Sequence, residues 1–219
     1  MKNEVITNLL QFYIDVEKLK TTIRHSHTSD KNRMESSAEH SWMLALIAIT
    51  LFEHLDTQVN QLKVLKMVII HDLAEAVTGD IPAFEKSERH DNKYTLEKKA
   101  LTSLTKNLSN NIQKEFLALW EEFENAITRE SKLAQAIDKM EGTLQHNITD
   151  ISNWDQGDYD IHPYYGDNLF HFDSFMRNLR NKIEVVSLKK IIKAGTLSRI
   201  KKEHAEKYKL LAEKENRED

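Results

Sequence analysis

Five glycines and two prolines are all that a chain of 219 residues carries, against a usual usage of roughly 7% and 5%. Without cheap reversals the chain is not built for the repeated hairpins of a sandwich or barrel. No stretch alternates apolar and polar residues as a half-buried strand does. The apolar residues recur instead at the helical period, and the expected class is all-α.

The pattern sets the expected elements. Val5, Leu9, Phe12 and Val16 mark one face of a first helix over about 3–20. A second starts near Ser37, with Ser36 or Ser37 as cap and Glu39 in its first turn. It is apolar nearly all round from Trp42 to Phe52, which predicts a central, buried helix. Further helices are expected over about 58–76, 92–108, 111–126 and 129–152. The stretch 155–173 holds two of the five glycines, one proline and several aromatics, and reads as a structured loop at a rim. A helix to about 192 follows, then a charge-laced exposed helix from Thr196 that frays at 216–219. The expected division is a body over 1–192 and a charged C-terminal extension over 193–219; nothing resembles a linker or a repeat. A chain of this size buries about 70% of its unfolded surface, so its core needs no staples.

Several classes are excluded. No cysteine is present, so there is no disulfide scaffold, thiol nucleophile or Cys-based metal site. A formal charge of −4 provides no basic footprint for nucleic acid. No apolar run reaches the roughly 18 residues of a membrane span, and Met1-Lys2-Asn3-Glu4 does not open a signal peptide. A cytoplasmic protein is expected.

Chemistry concentrates at a few polar residues in apolar surroundings. Two His-Asp dipeptides occur, and their contexts separate them: His90-Asp91 lies in a charged loop, whereas His71-Asp72 follows Met67-Val68-Ile69-Ile70. A polar pair at the end of a buried helix costs several kcal/mol unless it is hydrogen-bonded or holds a metal. His40 precedes the apolar run of the second helix, and Asp138 sits within Ala136-Ile137-Asp138-Lys139-Met140. Each alone has a bland reading, as a core hydrogen bond or a local ion pair with Lys139. Together they place ligand-type residues on three buried helices.

The order His40, His71-Asp72, Asp138 resembles the H…HD…D signature of the HD-domain metal-dependent phosphohydrolases. The flanking segments 33–41, 71–81 and 137–141 resemble the branch that contains the 5′-deoxynucleotidases, and the likeness covers roughly residues 5–155. It implies an HD-domain helical bundle holding a divalent ion through His40, His71, Asp72 and Asp138. Two imidazoles and two carboxylates suit Mn, Co, Fe, Ni or Zn better than Ca, with Mg also open. It implies further that Glu75 handles a proton of the attacking water or leaving oxygen, as the matching family residue does, and that Asp80 lies near the sugar. A homodimer and a small nucleotide or phosphate-ester substrate are also implied, with neither nucleic acid nor membrane as partner. Phosphodiester or pyrophosphate hydrolysis of the guanosine tetraphosphate class, and a non-catalytic metal-binding protein, are the alternatives.

Substrate contacts are less uniform. Arg33 is a phosphate contact or a partner of Glu35. The deoxynucleotidase branch carries an Arg-Trp pair upstream; strict register puts His25 at the Arg position, and no Trp follows. Arg24 takes the phosphate role if the register shifts by one residue. His25-x-His27 has a metal-binding spacing but lies on a polar loop, so both are expected to face solvent; Trp154, Tyr159, Tyr164, Tyr165 and Phe170 are expected to pack the rim rather than stack on a base.

Overall fold

Ser36 starts the central helix. Its hydroxyl accepts from Glu39 N–H while the Glu39 carboxylate accepts from Ser36 N–H, a reciprocal capping box. The computed structural model describes residues 2–30 and 33–215. They form α1 (Lys2–Val16), a short antiparallel pair β1 (Ile23–His27) and β2 (Met34–Ser36), and α2 (Ser37–Leu51). There follow α3 (Gln61–Ile70), α4 (Glu75–Thr78), α5 (Glu88–Asp91), α6 (Lys93–Thr105), α7 (Asn110–Asn125) and α8 (Arg129–Ile148). The described residues close with α9 (Gln156–Ile161), α10 (Ser174–Lys193) and α11 (Lys202–Glu215). The all-α expectation holds apart from the two short strands. Among the described residues no helix is long and apolar enough to cross a membrane.

The core lies where α2, α3, α7 and α8 meet. Leu44, Val64, Val68, Trp120, Leu133 and Ile137 are fully excluded from solvent there. Each such side chain contributes roughly 1.5–3 kcal/mol by burial, and Ile137→Ala would cost about 2–5 kcal/mol.

Several expectations need correction. The helix expected over 58–76 breaks after Ile70: Leu73, Glu75 and Ala76 donate to carbonyls three residues back rather than four. The tightened turn leaves His71 and Asp72 at the break, and Gly79, with φ of 72°, ends α4 in a conformation side chains rarely adopt. Second, α2 is not buried all round. Trp42 is 62% exposed, and Leu46 and Ile49, one and two turns on, are also exposed. Third, 155–173 is not loop alone: it contains α9 and short 3-10 turns.

The C-terminal helix is not wholly exposed. Tyr208 of α11 is buried in a second apolar cluster with Trp154, Tyr159, Leu188, Ile191 and Ile200. The aromatics Trp154, Tyr159 and Phe170 are therefore committed to the interior. The expected fraying at 216–219 lies outside the described residues.

Candidate metal centre and cavity

His40 enters from the first turn of α2, His71 and Asp72 from the break after α3, and Asp138 from the middle of α8. Their side chains converge. His40 Nε2 is 3.1 Å from Asp138 Oδ1 and 3.9 Å from Asp72 Oδ2, and His71 Nε2 is 3.1 Å from the same Asp72 oxygen. One ligand atom from each of His40, His71 and Asp72 lies within 4.8 Å of the others, and all three residues are buried.

The histidine orientations are fixed from behind. His71 Nδ1 donates to the Val68 carbonyl at 3.0 Å, and His40 Nδ1 donates to Glu141 Oε2 at 2.6 Å. Each ring therefore turns Nε2 toward the carboxylates, the arrangement that outer hydrogen bonds impose on metal-ligating histidines. His71 Nε2 is buried without a hydrogen-bond partner. Burial and Arg24 oppose a charged His40, but Glu141 and Asp138 outweigh them and push its pKa up to about 10. A cation here would take the place of the Nε2 proton that faces Asp138, while Nδ1 keeps its proton toward Glu141. The donor set thus fits a divalent ion, with two neutral imidazole nitrogens and two ionised carboxylates. Both carboxyls are held below the ordinary range: burial acts against this, but His71 and Arg24 outweigh it at Asp72, and Lys139 and His40 at Asp138.

Glu75 and Asp80 stand beside this centre. Ser37 Oγ donates to Glu75 Oε2 at 2.6 Å. Burial, with Asp72 and Asp80 nearby, raises the Glu75 carboxyl well above its usual range despite Arg24 and Ser37. Arg24, not His25, puts its guanidinium among the acids: NH1 is 3.1 Å from Asp72 Oδ2 and 3.9 Å from Asp80 Oδ1, and Nε is 3.5 Å from Glu35 Oε2.

A cavity of about 320 Å³ opens onto the group, at the small end of the range for small-molecule sites. Arg24, Asp72, Glu75, Asp80, Asp138 and Lys139 line it, with His40 and His71 behind them. Lys139 Nζ pairs with Asp138 Oδ2 at 2.8 Å. Arg33 is not brought to the cavity: it is about half exposed and paired with Glu39 at the start of α2, 2.9 Å away. The capping box holds Glu39 in place and so draws Arg33 to the surface. His90, expected in a solvated loop, lines the cavity from α5.

Other participants were given no site role from the sequence. Glu141 falls three residues after Asp138 on one helix face, a spacing that could have revealed it. Ser37 and Lys93 carry no motif. His25, expected to face solvent, lines the cavity with His146 and Asp158. His25 Nε2 is 3.3 Å from Asp158 Oδ2, and His146 Nε2 is 3.0 Å from Asp158 Oδ1.

Comparison with known proteins places this geometry in context. A family model described as HD domain matches residues 16–179. The 5'-deoxynucleotidase HDDC2 of Dictyostelium discoideum is 29% identical over 183 residues, covering 81% of this chain and 90% of its own. That of Danio rerio is 34% identical over 142 residues, 63% of this chain and 68% of its own. The crystal structure of a predicted metal-dependent phosphohydrolase from Magnetospirillum magnetotacticum superposes with a TM-score of 0.73 at 25% identity, covering 89% of this chain and 96% of that one.

Proposed function

The chain belongs to the HD-domain family and is an enzyme of its metal-dependent phosphohydrolase branch; from that premise we propose that it releases phosphate from (deoxy)nucleoside 5'-monophosphates or a similarly small phosphate ester. The observation that carries this is the convergence of His40, His71, Asp72 and Asp138, both rings fixed through Nδ1, beside Glu75 in one cavity.

In this reading those four residues hold the divalent ion. When bound, the ion neutralises charge on the phosphoryl group and lowers the pKa of a water. The donor set favours Mn, Co, Fe, Ni or Zn, with Mg as an alternative. Glu75, held at its Oε2 by Ser37, accepts the proton of the attacking water and returns one to the leaving oxygen. A carboxyl that burial raises well above its usual range exchanges a proton with water and leaving oxygen more readily than an ordinary one. Arg24, fixed by Asp72 and Asp80, turns its charge to the phosphate, and Lys139 adds a second positive charge at the cavity wall. Asp80 positions the sugar side of the ester. Arg33 has no part in this scheme.

Two further readings accompany it. The exposed Trp42, Leu46 and Ile49 form an apolar stripe at i, i+4 and i+7 on α2, and a homodimer through this face accounts for it. Action in the cytoplasm agrees with a nucleotide substrate and a chain without cysteine.

The test is phosphate release from a panel of ribo- and deoxyribonucleoside 5'-monophosphates with Mn, Co, Mg and Zn. Metal-dependent release supports the reading, and the ribo/deoxy ratio reports what the missing Arg-Trp pair changes. Release only from phosphodiester or pyrophosphate substrates would replace it.

A further inference from the structure

We propose that His25, His146 and Asp158 form a second divalent-metal site, separate from the H…HD…D centre and opening onto the same cavity. β1 supplies His25, the last turns of α8 supply His146, and α9 supplies Asp158. One ligand atom from each lies within 4.8 Å of the other two. An ion about 2.0–2.2 Å from each ligand holds such atoms roughly 3–4 Å apart. His25 Nε2 is 3.3 Å from Asp158 Oδ2, and His146 Nε2 is 3.0 Å from the other oxygen, Oδ1.

The hydrogen-bonding of His146 argues for a cation rather than a simple ring–carboxylate pair. Its Nδ1 lies 2.7 Å from the Gly142 carbonyl, which can only accept, so Nδ1 carries the proton. In the neutral ring Nε2 then carries a lone pair rather than a proton, 3.0 Å from Asp158 Oδ1. That oxygen is buried without a hydrogen-bond partner. An N–H at Nε2 would therefore be misdirected, and a buried carboxylate oxygen left unpaired costs free energy. An ion seated between the three residues satisfies both the lone pair and the oxygen. It is the same outer support that fixes His71, an Nδ1–H held by a backbone carbonyl with Nε2 turned inward.

Two imidazoles and one carboxylate form a donor set for Zn, Co, Ni or Fe rather than Ca. Asp155, whose Oδ2 is 3.4 Å from His25 Nε2, is half exposed and offers a further oxygen. All three principal ligands line the cavity, so remaining positions on the ion face the space a substrate would fill. α8 also carries Asp138, eight residues before His146, or about 12 Å along the helix axis. The second ion is thus a centre of its own rather than half of a bridged pair at about 3.5–4 Å.

The proposal concerns metal binding and stands whether or not the assigned reaction is correct. Metal-free full-length protein would be titrated calorimetrically with Co(II), with bound metal also counted after equilibrium dialysis and the visible Co(II) spectrum recorded. The expected result is two equivalents for the unaltered chain and one for His146→Gln. Asp72→Asn should also hold one equivalent, with a different spectrum, and the double variant none. His25→Gln, on a strand outside the core, provides a second loss of one equivalent should His146→Gln fail to fold, as judged by thermal melting. One equivalent in the unaltered chain, or two in a folded His146→Gln or His25→Gln variant, overturns the proposal.

Discussion

Glu141 holds the ring of His40: its Oε2 lies 2.6 Å from His40 Nδ1, with both side chains shut off from solvent. The contact ties α2 to α8 across 101 residues of sequence, and it decides which nitrogen of His40 faces Asp138. Glu141→Ala is expected to weaken divalent-metal affinity about 10–100-fold. Glu141→Gln, which keeps an acceptor, should lose less. Competition against a chelator measures both, and an unchanged affinity in Glu141→Ala would remove Glu141 from the metal's support.

The two arginines suggested by the sequence should separate kinetically. Arg24 lies among Asp72, Asp80 and Glu35, whereas Arg33 pairs with Glu39 at the surface. Arg24→Ala is expected to lower kcat/KM for a nucleoside monophosphate about 100-fold, by loss of a charge-assisted phosphate contact. Arg33→Ala should stay within about twofold, because an exposed ion pair contributes little. Equal losses in the two variants would contradict the placement.

Stability should depend on pH through Glu97. This residue is 3% exposed, its Oε1 has no hydrogen-bond partner, and Lys93 Nζ is 3.5 Å away. Burial pushes its carboxyl up to about 7, against the opposing pull of Lys93. A carboxyl raised on folding favours the folded state below its unfolded pKa, and that advantage is lost as pH rises through about 7. Glu97→Gln should therefore match the unaltered chain near pH 5 and exceed it at pH 8, on the order of 1–3 kcal/mol. Urea midpoints at the two pH values test this, and a gap that does not widen with pH would contradict it.

The apolar stripe on α2 should govern association. Leu46→Glu changes an exposed position, so the fold should survive while the proposed dimer dissociates. Light scattering coupled to gel filtration distinguishes dimer from monomer. An unaltered chain that is already monomeric, or a Leu46→Glu variant that remains dimeric, would remove this face as the interface.

What the sequence disclosed follows the physical range of its signals. Helix positions were legible because periodicity and caps such as Ser36 act over a few residues. The break after Ile70 was not, since no glycine or proline marks it and the apolar pattern runs straight through. Exposure of Trp42 was hidden for a related reason: an all-round apolar helix reads the same whether its outer face meets core, solvent or a second copy. His40, His71, Asp72 and Asp138 stood out as polar residues in apolar surroundings, and the structure gathers them. Asp158 did not stand out, because it reaches His25 only across 133 residues and no motif links the two. Arg33 misled because a basic residue just before a helix start suits either a ligand or the helix's own Glu39.

The most direct test of the account is Glu75→Gln, assayed for metal content and phosphate release together. Glu75 lines the cavity, 2.6 Å from Ser37 Oγ at its Oε2, and is not among the four residues assigned to the metal. The account predicts that the variant folds, holds metal at the H…HD…D centre as the unaltered chain does, and releases phosphate from nucleoside 5'-monophosphates about 100–10,000-fold more slowly. Undiminished release from a metal-replete Glu75→Gln enzyme would contradict it.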